Sequence, residues 1–308
     1  MNLSLTTRLL RPFASLGGPG PLFDKELRVA SRRRRGYVLR CAYVLFLMVY
    51  IAAVWIPAVE IHGSAASSRA QMEAAAKTIT LNIVWFQFFA AQLVAIAMLS
   101  TAISDEVYGR TLCVLLTTPL SNRQVILNKL SSRLFQVLLL VATSLPLLAV
   151  VRVLGGIPWD FLIVSLCVTA ATVVFVGSTS LFFSVLCRRS YTVVIVSVLA
   201  IAAIFFVAPF IIGGLSRGML SARAFLATTL FWNPFFLLYR FTDYTISPRQ
   251  QFVSVLQIIS CCALLLSMSM VLLACSVRLV RSVALHRAMG EPALWDRLRR
   301  RHIEECPV

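Results

Sequence analysis

Six runs of 18 to 26 residues contain no Asp, Glu, Lys or Arg: Cys41–Val59, Ile79–Ile103, Leu134–Val151, Phe161–Leu186, Tyr191–Leu215 and Phe252–Val277. About 20 residues of helix cross the hydrocarbon core of a bilayer. There every backbone N–H and C=O must find its partner inside the protein, which leaves helices or a closed barrel. A barrel would show short segments of alternating polarity, and these runs do not alternate. The expectation is an all-α, polytopic integral membrane protein with six transmembrane helices. Composition agrees, because only 13% of residues are charged against about 25% in soluble domains.

The net charge of +17 would suit nucleic acid, but its placement favours a membrane surface. Of the 29 Lys and Arg, 22 lie before the first run, between the second and third, between the fourth and fifth, or after the sixth; seven lie in the other intervals. The positive-inside rule then places both termini in the cytoplasm. With no soluble domain to present a basic, base-stacking surface, a nucleic-acid partner is not expected.

Residues 1–20 are mixed and rich in Gly and Pro, a flexible tail rather than a cleaved signal. Over 21–36, Phe23, Leu27 and Ala30 recur on one helical face, while Lys25, Arg28, Arg32 and Arg35 occupy others. This pattern predicts an amphipathic helix in the cytoplasmic interface, and the arginine run also serves as a stop-transfer cluster. A transmembrane domain would fill 37–278, followed by a basic cytoplasmic tail over 279–308.

Eight cysteines are scattered without C-x-x-C spacing, so neither a disulfide framework nor a zinc site is expected. His302, Glu305 and Cys306 are close in sequence but read as a charged terminus. There is no phosphate-binding G-x-x-x-x-G-K-[ST] and no H-E-x-x-H, so no catalytic, metal or cofactor residue is assigned. Ionisable groups stand only at run edges, as with Arg152 and Asp160. Asn82, Gln87 and Gln92 in the second run are spaced by five, off any single helical face, and read as helix–helix hydrogen-bonding groups.

The densest pattern outside the runs is ISDEVYGRTLCVLLTTPLSNRQVILNKL, Ile103–Leu130, inside a cytoplasmic loop over 104–133. Asp105 and Glu106 suit the first turn of a new helix. Glu106 and Arg110 form an i, i+4 pair, and Tyr108, Leu112, Leu115 and Leu116 form an apolar stripe. Pro119 should stop that helix, and Ser121 with Gln124 makes a capping box for the next, which runs through Val125, Ile126 and Leu130 into the third span. Such a helix either transmits motion from a cytoplasmic partner or lies on lipid.

The external segment 216–250 holds FLATTLFWNPFFLLYRF, Phe225–Phe241, broken at Asn233-Pro234. As a seventh span it would put Arg278 to Arg301 outside, against the charge rule. External interfacial or re-entrant helices are expected instead, with Trp232 and Tyr239 suited to the headgroup level.

The loop resembles the first cytoplasmic loop of ABC-2 type transporter permeases, matched at Asp105, Glu106, Thr111, Leu112, Leu115, Leu116, Thr118, Pro119, Leu120, Ser121, Asn128 and Lys129. Arg110 stands where many members have glycine, and Gly109 falls one place early. PLFDKELR is similar to that family's amino-terminal elbow helix at Lys25, Glu26 and Arg28, and the elbow would extend over Arg32, Arg33, Arg34 and Arg35. The resemblance implies that Asp105, Glu106, Tyr108, Gly109, Arg110, Thr111, Leu112, Leu115, Leu116, Pro119 and Leu120 form a coupling helix docked on a separate ABC ATPase subunit. That subunit would bind the ATP and Mg; this chain would hold no cofactor. It also implies pairing with a second permease copy or homologue, a plasma-membrane location, and an external gate with Trp232, Asn233, Pro234 and Tyr239 as candidates. The apolar spans favour a lipid, peptide or hydrophobic drug over a small ion. The alternatives are a membrane scaffold or assembly protein using the same loop, or an intramembrane enzyme, which would need a buried polar constellation.

Overall fold

The computed structural model describes residues 34–59, 65–108, 122–155, 158–187, 189–215, 232–246 and 254–288. Every element among them is helical: α1 Arg34–Val59, α2 Ala65–Tyr108, α3 Asn122–Gly155, α4 Trp159–Leu186, α5 Ser190–Ala202, a π-helical turn Ala203–Val207, α6 Ala208–Leu215, α7 Pro234–Ile246 and α8 Val255–Ala288. Among the described residues, five stretches are long and apolar enough to cross a membrane, Lys77–Thr101, Ile126–Pro146, Trp159–Leu186, Ser190–Ile211 and Val255–Val280; α1 adds a shorter apolar stretch, Cys41–Ala53. The chain is an all-α, multi-pass integral membrane protein.

One local expectation is corrected. Asp105 and Glu106 do not open a new helix, because α2 runs without a break through both to Tyr108. Nothing between Ile103 and Tyr108 is Gly or Pro, so the i→i−4 ladder continues. The acidic pair therefore sits in the closing turns of a 44-residue rod, about 66 Å long. The expected Pro119 stop and the Ser121 cap fall in 109–121, outside the described residues; α3 starts at Asn122.

Helix α4 is the centre of the bundle, packed against α2, α3, α5, α7 and α8. Hydrocarbon tails are as apolar as leucine, so burial gives little drive for helix association in a membrane. Close packing and interhelical hydrogen bonds take over, and small residues let backbones approach. The α4 sequence supplies them. Ser180 Oγ donates to the Ile96 carbonyl at 3.3 Å, and Ser184 Oγ to the Ser100 carbonyl at 3.0 Å. Both partners advance by four residues, so α2 and α4 run parallel. At Gly177 an added Cβ would lie 3.1 Å from Leu134 Cδ2 and 3.5 Å from both Leu99 methyls, which places α2 and α3 side by side against the glycine. Ser178 and Ser269 hydroxyls meet at 2.6 Å and tie α4 to α8.

The outward faces are apolar. Leu45, Phe46 and Val49 on α1, Ile195 and Leu199 on α5, and Leu256 and Ile259 on α8 are all exposed. In water such a surface would aggregate; in a bilayer it meets acyl chains.

Candidate functional site

The sequence-derived site residues fall into three groups. Of the loop set, Asp105, Glu106 and Tyr108 lie on the last turns of α2, whereas Gly109, Arg110, Thr111, Leu112, Leu115, Leu116, Pro119 and Leu120 lie outside the described residues. Of the elbow set, Arg34 and Arg35 open α1, and Lys25, Glu26, Arg28, Arg32 and Arg33 lie outside. Asn128 and Lys129, which share the loop motif, are buried near the start of α3, each 6% exposed. The four external candidates, Trp232, Asn233, Pro234 and Tyr239, are all described: Asn233 and Pro234 open α7, Trp232 is half-buried just before them, and Tyr239 lies farther along the helix.

The Asn233-Pro234 break is a helix start. Asn233 occupies the N-cap of α7, and its Oδ1 accepts from the backbone N–H groups of Phe235 at 3.0 Å and Phe236 at 3.3 Å. Asparagine is among the strongest N-caps. Proline suits the first helical position because its missing N–H would have had no intrahelical acceptor. The other end of the amide points away from α7: Nδ2 donates to the Phe205 carbonyl in the π-helical turn at 2.7 Å. Only this orientation satisfies all three contacts, since a carbonyl can only accept and the two N–H groups can only donate.

The ring of Phe235 closes an aromatic cluster. Its centroid lies 4.9 Å from Phe88, 5.0 Å from Phe206, 5.5 Å from Phe205 and 5.6 Å from Phe89. Farther along α7, Leu237, Leu238 and Phe241 are buried, and Phe241 stacks on Phe161 at 5.7 Å. Tyr239 takes the opposite face, 55% exposed.

These contacts fix the depth of α7. Phe88 stands 11 residues from one end of the Lys77–Thr101 span and 13 from the other, whereas Phe161 is two residues into α4. The first turn of α7 thus meets the middle of the α2 span, and its later turns meet the beginning of α4. At 13 residues α7 is about 20 Å long, too short for a core of about 30 Å.

A second buried polar group joins α2 and α3, with Tyr43 of α1 beside it. Ser144 Oγ shares its proton between Gln87 Oε1 and the Val141 carbonyl, both at 2.7 Å. The Tyr43 hydroxyl is turned toward Ser144 without closing a well-formed hydrogen bond. Gln87 thus makes the expected helix–helix bond. Asn82 instead bonds back to the Thr78 carbonyl of its own helix at 2.9 Å. Gln92 is buried, and neither amide atom has a partner among the described residues. A buried unsatisfied polar group costs roughly 1–3 kcal/mol. Gln92→Leu is therefore expected to raise the unfolding midpoint in detergent by at least about 3 °C. A lowered midpoint would mean that the amide holds a partner within the folded protein.

The interruption at Asn233-Pro234 was visible in the sequence; its role as the cap of α7 was not. Nor was the acceptor of Asn233, which lies 28 residues away on another helix. Among the described residues no three His, Cys, Asp or Glu side chains are grouped to hold a metal ion.

Long apolar helices around a small-residue centre, with a short aromatic helix packed among them, make a multi-pass membrane protein. The chain belongs to the family described as ABC-2 family transporter protein, whose profile matches residues 21–283. It is thus a membrane permease subunit, with no catalytic role of its own. No curated protein matches it.

Proposed function

We propose that the chain is the membrane half of an ABC exporter, driven by a separate ATPase subunit seated on residues 104–121. It crosses the membrane six times, with both termini cytoplasmic, and pairs with a second permease to form the path. The elbow over 21–36 rests on the cytoplasmic leaflet, and α7 enters the bundle from the outer side as a re-entrant helix. The observation that carries this reading is the family match across the loop, together with the rigid connection of that loop to the bundle. Helix α2 runs unbroken from the aromatic cluster at Phe88 and Phe89 to Tyr108, and α3 resumes at Asn122.

The mechanism follows from that connection. ATP binding closes the ATPase dimer and displaces the loop. A helix does not compress along its axis, so α2 carries the displacement to Phe88 and Phe89, which touch Phe235 at the inner end of α7. Helix α4, hydrogen-bonded to α2 at Ile96 and Ser100, moves with it. The outcome is a shift of α7 against the bundle and an opening on the outer side.

Two measurements test the proposal. Tagged chain, solubilised from its native membrane, should retain an ATPase subunit with a phosphate-binding loop; recovery of a protein lacking nucleotide-binding motifs would favour the scaffold reading. Single cysteines placed in 109–121 should resist an impermeant thiol reagent in intact cells and react in inverted vesicles. Labelling from the outside would reverse the proposed topology.

A further inference from the structure

The π-helical turn and the Asn233 contact have one origin in the sequence. In an unbroken α-helix the Phe205 carbonyl would accept from the N–H of residue 209. That residue is Pro209, which has no N–H and whose ring crowds the carbonyl four residues back. The helix relaxes by taking a wider turn over Ala203–Val207, where the Ala208 N–H reaches the Ala203 carbonyl five residues back. Wider turns of this kind occur mostly as single insertions and often at functional positions. The carbonyl that Pro209 deprives is the one that Asn233 Nδ2 takes, at 2.7 Å, with Asn233 only 5% exposed.

We propose that Asn233 and Pro209 form a latch: Pro209 frees a carbonyl on the fifth crossing, and Asn233 bolts the inner end of α7 to it. This deepens the export reading given above and rests on it for the statement that the latched end faces the outer exit. The bolt has to release before α7 can move outward. Phe235 packs over it, with Phe205 and Phe206 on one side and Phe88 and Phe89 on the other, so displacement of α2 acts on the same point. Asn233 is a positioning residue. It meets no transported molecule in this account, and its effect is on which state of the outer end is populated.

The alternative is that Asn233 only caps α7. Hydrogen–deuterium exchange on the full chain in lipid nanodiscs separates the two. Serine caps a helix about as well as asparagine, but its side chain ends one bond sooner and has no amide to reach Phe205. Asn233→Ser should therefore speed exchange by about tenfold, the worth of one buried hydrogen bond, both over 203–212 and over 234–240. Pro209→Ala returns a backbone donor to Phe205 and removes the ring that holds the wider turn open, so the turn tightens and the carbonyl swings back along the helix axis, out of line with the amide. That variant should slow exchange over 203–212 while speeding it over 234–240. Opposite signs in one variant are what a latch predicts and what a cap does not. If Pro209→Ala leaves 234–240 unchanged, or if Asn233→Ser leaves 203–212 unchanged, the latch is refuted. Neither readout requires the ATPase subunit, so failure here leaves the export reading standing, and loss of that reading leaves the bond to be judged by itself.

Discussion

Gly177→Leu is expected to abolish the folded protein, while Gly177→Ala leaves it close to neutral. The glycine sits on α4 where Leu134 of α3 and Leu99 of α2 converge, and a single added carbon already comes within 3.1 Å of Leu134 Cδ2. For alanine two effects oppose each other. Removing a helical glycine gains roughly 1 kcal/mol of backbone entropy, and the crowded neighbour is the far end of a flexible leucine, which can shift by a few tenths of an ångström. A leucine brings three further carbons into a contact already closed on two sides. Overpacking costs about 1–3 kcal/mol and sometimes more. Here it separates three helices whose association in lipid depends on close approach, including the Ser180 and Ser184 hydrogen bonds to α2. Size-exclusion chromatography after detergent extraction is the check. The expected result is a monodisperse peak for alanine and aggregate for leucine. A monodisperse leucine variant with an unchanged unfolding midpoint would show that the three helices do not meet as described.

Leu112→Asp and Leu115→Asp should release the ATPase while leaving the permease inserted. Both leucines belong to the apolar stripe of the loop, the face proposed to enter the ATPase groove. Central apolar anchors at protein interfaces contribute about 2 kcal/mol or more each, and a buried unpaired carboxylate adds a desolvation penalty. Each substitution should weaken docking by at least about 30-fold, measured as ATPase retained per permease on affinity purification. Unchanged retention in both variants would remove the assigned face. Loss of the permease from the membrane would show that the stripe is needed for folding.

The sequence made the helices legible because charge-free runs of spanning length admit few structures in lipid, and each of the six runs lies mostly or wholly within helical structure. Helix ends were less legible. Acidic residues favour a helix start only weakly, through the dipole, and at Asp105 and Glu106 an uninterrupted ladder outweighed that preference. Pairings between helices were least legible. The buried serines of α4 carry no mark that assigns Ser180 and Ser184 to α2 but Ser178 to α8, because those choices depend on the rotation of each helix about its axis. Gln87 and Gln92 are equally polar in sequence, yet one meets Ser144 and the other meets no partner among the described residues. Asn233-Pro234 announced an interruption, but the carbonyl that receives its amide is created by a proline on a different helix.

The central claim is that force generated by nucleotide binding in a separate subunit enters this chain between α2 and α3. A photo-activatable amino acid at Leu112, irradiated in native membranes and followed by mass spectrometry of the adducts, tests it most directly. The account predicts a covalent adduct to an ATPase subunit bearing a phosphate-binding loop. Adducts confined to lipid, or to a protein without nucleotide-binding motifs, would contradict it.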